Sequence, residues 1–298
     1  MGSLKKVALL GKGRLGSAVL EELDRNGFAV TVLSRNPPNT GDLPSGVVAC
    51  QVDYSSQDSL VEALRGHDVA IATFASAAIM DQELIIEACI KAEVKRYIPA
   101  DWGSVTTDPK ARTLPINYPT VQVQELLKKK ADAGLLEYTI FSVGAFLDLL
   151  LDFPFILDLK TSSIEIFDNG EHPFSCTSLH SIGKAVAGAL SIPEETKNRN
   201  LFIHDTVLTQ ARVLAIAKKH SPPAVQWTET NVDAQQELRE ALESLSKDLT
   251  NFNLIFRLLR ATLLSGKYRA AYPEVNNELV GVPLLTDEEL EKKLAAKF

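Results

Sequence analysis

Strand and helix patterns alternate through the first half of this 298-residue chain. A glycine turn joins the first strand to the first helix, and the second half loses the alternation. The first two observations predict an α/β fold, a doubly wound parallel sheet with helices on both faces. The third predicts a smaller C-terminal α/β domain beside it.

Strand patterns fall at 6–10, 29–33, 47–52, 67–73, 96–99 and 137–142, with helical patterns near 15–26, 56–65, 80–92 and 119–134. This reading gives a Rossmann dinucleotide-binding domain over 1–150 and a substrate-binding region over 151–298, some of whose strands return to the main sheet. Beyond 150 a strand at 163–167 meets a turn at 168–171. A helix near 179–191, a strand at 200–204 and a helix at 208–219 with Thr209 as its cap follow. Residues 233–249 read as an exposed amphipathic helix. The next helix, 251–264, carries Phe252, Leu254, Ile255, Phe256, Leu258, Leu259 and Leu263 on more than one face. Such a helix is core, a dimer face or a lid.

Composition removes several function classes. No apolar run reaches the ~18 residues of a membrane span. The start, Met1 to Lys6, lacks the apolar stretch of a secretory signal. Net charge is −7 with dispersed basic residues, which argues against nucleic-acid binding. Cys50, Cys89 and Cys176 are scattered, odd in number and in no metal-ligand spacing. They read as free, buried thiols of a cytoplasmic protein without a metal.

The first strand, Val7-Ala8-Leu9-Leu10, runs into the turn Gly11, Lys12, Gly13, Arg14, Leu15, Gly16. In a G-x-G-x-x-G turn the first glycine allows the bend, the second lets backbone approach a pyrophosphate, and the third lets helix and strand pack. The helix N-terminus adds free N–H groups and a positive dipole end. An NAD site usually closes the second strand with Asp or Glu. Here that position reads Ser34-Arg35. Arg35 offers a charged planar fork to a 2′-phosphate, Ser34 a hydroxyl and Lys12 a second cation. The expected cofactor is therefore NADP(H).

Ligands of such a sheet sit beyond the carboxyl ends of the strands. That rim gathers Thr73, Phe74 and Ala75, then Ala100 to Gly103, then Ser142 to Phe146. Thr73, Phe74, Ala75, Gly144 and Phe146 are expected against the cofactor. Trp102, Phe146, Asp148 and His180 are expected on the substrate side.

These residues resemble the isoflavone-reductase-like, NmrA-like branch of the atypical short-chain dehydrogenases, its fungal members in particular. The likeness runs over nearly the whole chain. It is carried by Val7–Gly16, Val30–Arg35, Lys95-Arg96-Tyr97-Ile98-Pro99-Ala100-Asp101-Trp102-Gly103-Ser104, Gly144–Asp148 and Ser181–Ala187. It departs from the family in a glycine turn one residue shorter, and in Ala100 and Asp101 where Ser and Glu are common. The resemblance also implies a catalytic lysine near the start of the helix after the 100–103 loop. Alignment by Val121, Val123 and Glu125 puts Thr120 in its place. Lys128, Lys129 and Lys130 lie about 12 Å further along and suit a solvated helix end. Pro119 suits the first turn and Asn117 its cap.

Hydride transfer leaves the protein a proton to handle. Tyr118 can donate a hydrogen bond to a substrate carbonyl, or simply pack at the helix start. Asp101 can act as a base, or anchor loop N–H groups. Thr120 can bind through its hydroxyl but cannot titrate at neutral pH. His180 can instead cap or pack, and Cys176 reads as a core residue. The expected function is an NADP(H)-dependent oxidoreductase, monomer or homodimer, acting on a small aromatic or alkaloid-like metabolite. Two alternatives stay open: a cofactor-binding enzyme of redox-coupled or net non-redox cyclisation or isomerisation, and an NmrA-like dinucleotide sensor without turnover.

Overall fold

The computed structural model describes residues 4–36, 43–74, 82–103, 105–106 and 108–298. The first half folds as β1 (Lys6–Leu10), α1 (Arg14–Arg25), β2 (Ala29–Ser34), β3 (Val48–Gln51), α2 (Gln57–Leu64), β4 (Val69–Ala72), α3 (Gln82–Lys91), β5 (Arg96–Ile98), α4 (Tyr118–Asp132) and β6 (Glu137–Ser142). Each expected strand and helix of this half is present within a few residues. Of the helix expected at 80–92, positions 80 and 81 lie outside the described residues.

The second half supplies β7 (Ala145–Phe146), β8 (Ser163–Phe167), β9 (Phe174–Thr177), α5 (Leu179–Ser191), α6 (Pro193–Thr196), β10 (Arg199–Phe202), β11 (Thr206–Leu208), α7 (Gln210–His220), β12 (Thr228–Val232), α8 (Ala234–Lys247), α9 (Phe252–Leu264) and α10 (Asp287–Ala295). Thr209 caps α7 by accepting the Arg212 N–H.

Seven strands form one parallel sheet in the order β10-β6-β5-β4-β1-β2-β3. Side chains alternate across it, as the strand period requires. Val7 and Leu9 of β1 face α1 and α5, among Val19, Leu23, Ile182 and Val186. Ala8 and Leu10 face α2, α3 and α4, among Leu60, Ile85, Cys89 and Leu127. Burial on both faces explains why these strands read as unbroken apolar runs. β10 comes from the second half and pairs with β6.

A third core lies under the C-terminal helices. It joins Leu147, Leu150, Ile156 and Phe167 to Val213, Leu238, Leu258 and Leu290. Two small sheets border it, β11-β9-β7 and the parallel pair β12-β8. α9 buries Leu258, Ala261, Leu263 and Leu264 here, while Phe252 at its start is 74% exposed. Cys89 and Cys176 are buried, but Cys50, expected to be buried, is only half so, on the short outer strand β3. Among the described residues no helix is long and apolar enough to cross a membrane.

Candidate functional site

The glycine turn crosses from β1 into α1 at the point where the strand order reverses, between β1 and β4. Gly11 adopts φ +99°, a left-handed conformation that favours glycine. Its N–H donates to Leu33 O, 3.2 Å away. A Cβ on Gly16 would stand 2.4 Å from Gly11 O and 2.7 Å from Thr73 Oγ1. Among the described residues, a Cβ on Gly13 would meet no atom within 4 Å. Gly16 is therefore fixed by packing, whereas no described atom crowds Gly13. No side chain caps α1 at Gly13, and its first turn carries no acid. This cradle fits the pyrophosphate of the expected dinucleotide.

Thr73 lies behind the turn, donating to Gly11 O at 2.8 Å. Phe74 stands edge-on to Tyr54, with centroids 6.2 Å apart. Burial pushes the Tyr54 phenol up to about 12, and it donates to Leu33 O at 2.9 Å. Ala75 and Ser104 lie outside the described residues. Arg14, expected at the cofactor, pairs with Asp152 at 2.8 Å.

At the end of β2 the Ser34 hydroxyl donates to Asn36 O. Arg35 is exposed and lines a hollow of about 440 Å³ with Gln51, Val52, Asp53 and Ser59. The Gln51 amide donates to Arg35 O at 3.1 Å, fixing the loop that carries the guanidinium. Asp53 Oδ1 accepts the Ser55 N–H and O–H, and these bonds hold its carboxyl below the usual value. Asp53 escaped the sequence reading because it follows β3, not β2.

Asp101 is buried. Its Oδ1 accepts from Thr106 at 2.8 Å and its Oδ2 from Gln124 at 2.6 Å. Burial raises its carboxyl above the usual value, against these donors and the Gly103 N–H. The Arg112 guanidinium donates to Gln124 Oε1, so the chain of contacts runs on to the surface. Asp101 thus anchors its loop to the inner face of α4. Thr120 is buried on that helix. Tyr118 is 60% exposed, in a groove with Glu83, Gln122 and Lys129. Asp101 thus meets α4 through the buried Gln124, while Tyr118 is exposed at the start of that helix. Asn117, expected to cap this helix, stands at the cap position but makes no capping bond. Its amide instead donates to Ala111 O.

Three residues expected on the substrate side are held by the fold. The Trp102 ring is buried, stacks on Phe141 at 5.6 Å, and its Nε1–H donates to Ala72 O. Asp148 Oδ2 accepts the Leu179 N–H at 2.6 Å, at the start of α5. Asp205 Oδ2 accepts the neighbouring Ser178 N–H at 2.8 Å, so two carboxylates meet the positive end of that helix. His180 lies inside α5, its Nδ1 3.0 Å from Glu22 of α1, and Ser178 does the capping. Phe146 is half-buried on β7. Gly144 adopts φ +68°, and a Cβ there would stand 2.1 Å from Ser175 O. Its N–H donates to the hydroxyl of Tyr272, a residue no local pattern marks.

The chain is similar to known proteins over nearly its whole length. It is 32% identical to the oxidoreductase aprR of Aspergillus flavus over 293 residues, 97% of each chain. The crystal structure of an isoflavone reductase superposes with a TM-score of 0.75 at 20% identity, covering 98% of this chain and 99% of that one. A binary complex of leucoanthocyanidin reductase with NADPH, from Vitis vinifera, gives a TM-score of 0.75 at 15% identity, covering 98% and 99%. The NmrA-like family profile matches residues 4–284, and the chain belongs to the NmrA-like family.

Proposed function

We propose that this protein is an NADP(H)-dependent oxidoreductase of a small aromatic or alkaloid-like metabolite. The observation that carries the cofactor is the end of β2: an exposed Arg35 on a loop fixed by Gln51, beside a hollow, with no acid on the strand end. A 2′-phosphate matches the guanidinium in charge and shape. The oxidoreductase name of the Aspergillus relative supports the reaction class. The isoflavone and leucoanthocyanidin reductases of the same fold support an aromatic substrate, and the second was solved with NADPH.

A bound nicotinamide supplies or accepts the hydride. The chain's own residues bind, orient and move the proton. Gly11 to Gly16 hold the pyrophosphate, with Lys12 as a further cation. Gly144 and Phe146 border the other end, and residues 151–298 contribute the substrate side. Thr120 offers a hydroxyl to a substrate oxygen without titrating. Asp101 keeps the 100–103 loop in place. Tyr118, the exposed phenol at the start of α4, is the proton donor in this scheme. The absence of a disulfide among the three cysteines suits a reducing cytosol.

Titration with NADPH and NADH tests the cofactor. NADPH should bind at least about tenfold more tightly, and Arg35→Ser should abolish the difference. Equal affinities in the wild type overturn it. Loss of nicotinamide absorbance against a panel of enones, quinones and imines tests the reaction. Tyr118→Phe should then lower kcat about 10- to 100-fold. Binding of NADPH with no turnover on any of the panel would favour a dinucleotide sensor.

A further inference from the structure

Residues 270–272 run beside β9. The Ser175 N–H donates to Ala270 O at 2.9 Å, and the Tyr272 N–H donates to Ser175 Oγ at 3.0 Å. This pairing turns the Tyr272 ring inward against Phe202, with centroids 5.0 Å apart, and buries it. The phenol oxygen then reaches two loops at once. It accepts the Gly144 N–H at 2.9 Å and lies 3.5 Å from Gly103 O, to which it donates. The Ser142 side chain also hydrogen-bonds it. Gly144 follows β6 and Gly103 follows β5.

The strand order says what those loops flank. A dinucleotide lies across the reversal between β1 and β4. Arg35 places the adenosine half over β2 and β3. The other half then lies over β4, β5 and β6, at the loops that Tyr272 ties together. Each loop has its own anchor, Gly144 against Ser175 O and Asp101 under Thr106 and Gln124. The phenol sets the distance between them.

We propose that Tyr272 is a positioning residue for the nicotinamide end of the cofactor. It spaces the Gly103 and Gly144 loops and so holds the ring in one orientation, acting through the loops rather than by contact with substrate. The proposal rests on the NADP(H) reading of Arg35.

Tyr272→Phe keeps the ring against Phe202 and removes only the hydroxyl. Adenosine 2′,5′-bisphosphate reports the adenosine half alone, and the fluorescence of bound NADPH reports the nicotinamide end. Affinity for the bisphosphate should stay within about twofold of wild type. NADPH should bind about fivefold more weakly, the scale of one lost hydrogen bond. The emission of bound NADPH should move toward that of the free cofactor. Unchanged NADPH affinity and emission overturn the proposal, and so does an equal loss of both ligands, which marks a merely structural tyrosine. Should the variant fail to fold, Ser142→Ala removes one partner of the phenol together with the bond to Asn200. It should leave the bisphosphate affinity unchanged and move NADPH affinity and emission the same way by less. No shift in NADPH there, or an equal loss of both ligands, overturns it equally. A wild type that binds neither ligand overturns the cofactor reading itself, a result distinct from failure of Tyr272 alone.

Discussion

Arg14 and Asp152 meet across the mouth of the glycine turn, guanidinium nitrogen to carboxylate oxygen at 2.8 Å. Asp152 also accepts from Lys297 at 2.7 Å. The two cations, Lys297 foremost, hold its carboxyl below the usual value. One carboxylate thus occupies two cations beside the expected phosphate site. Asp152→Asn frees both. Its Kd for NADPH should fall about three- to tenfold, with a steeper salt dependence. Titration at two ionic strengths checks this. Thermal stability should barely change, because exposed ion pairs contribute little.

Gly13 and Gly16 should separate binding from stability. Gly16→Ala drives a methyl into Gly11 O and Thr73 Oγ1 and should cost about 1–3 kcal/mol by overpacking. Gly13→Ala meets no atom among the described residues, so its unfolding free energy should stay within about 1 kcal/mol. Its methyl would stand where the pyrophosphate approaches, so NADPH affinity should fall at least about tenfold. Urea denaturation and ligand titration on both variants give the comparison.

Arg96 is fully buried at the start of β5. It pairs with Glu137 of β6 at 2.6 Å and donates to Thr196 Oγ1 and Pro193 O. Arg96→Ala should cost about 3 kcal/mol in urea denaturation, because the cavity and the orphaned partners add. Arg96→Lys should recover only part of this, since one ammonium cannot reproduce the planar fork.

His204 is buried, with Nδ1 2.9 Å from Ser175 Oγ. Burial holds it below its ordinary value of 6.5, and His67 is held down for the same reason. As pH falls through 6.5 the unfolded chain takes up these protons before the fold does. Stability present above 6.5 is therefore lost below it. The melting temperature should drop between about pH 7.5 and about pH 5.5, and His204→Asn should shrink that drop.

The first-half elements and the glycine turn were legible because each strand–helix unit is local and each strand is apolar on both faces. β7, β9 and β11 are too short to show a period. β12, Thr-Glu-Thr-Asn-Val, is exposed and polar, so nothing in its composition marks a strand. Rim placement told which residues stand near the strand ends but not where their side chains point. Trp102 turns into the core and Asp148 turns to a helix start, because partners distant in sequence wait there. Asp152 and Tyr272 were invisible for the same reason. Each meets its rim partner more than a hundred residues away.

The return of β10 to the main sheet sets a condition on how the chain is made. Until residues 199–202 have been synthesised, β6 presents an open edge to solvent. Until residues 193–196 have been made, Arg96 likewise sits beside Glu137 without Thr196 or Pro193 O. The nascent N-terminal half therefore emerges with an unpaired strand and an underfed buried cation, two features that invite association with other chains. A ribosome-bound fragment ending before α6 should need chaperone cover that the finished protein does not.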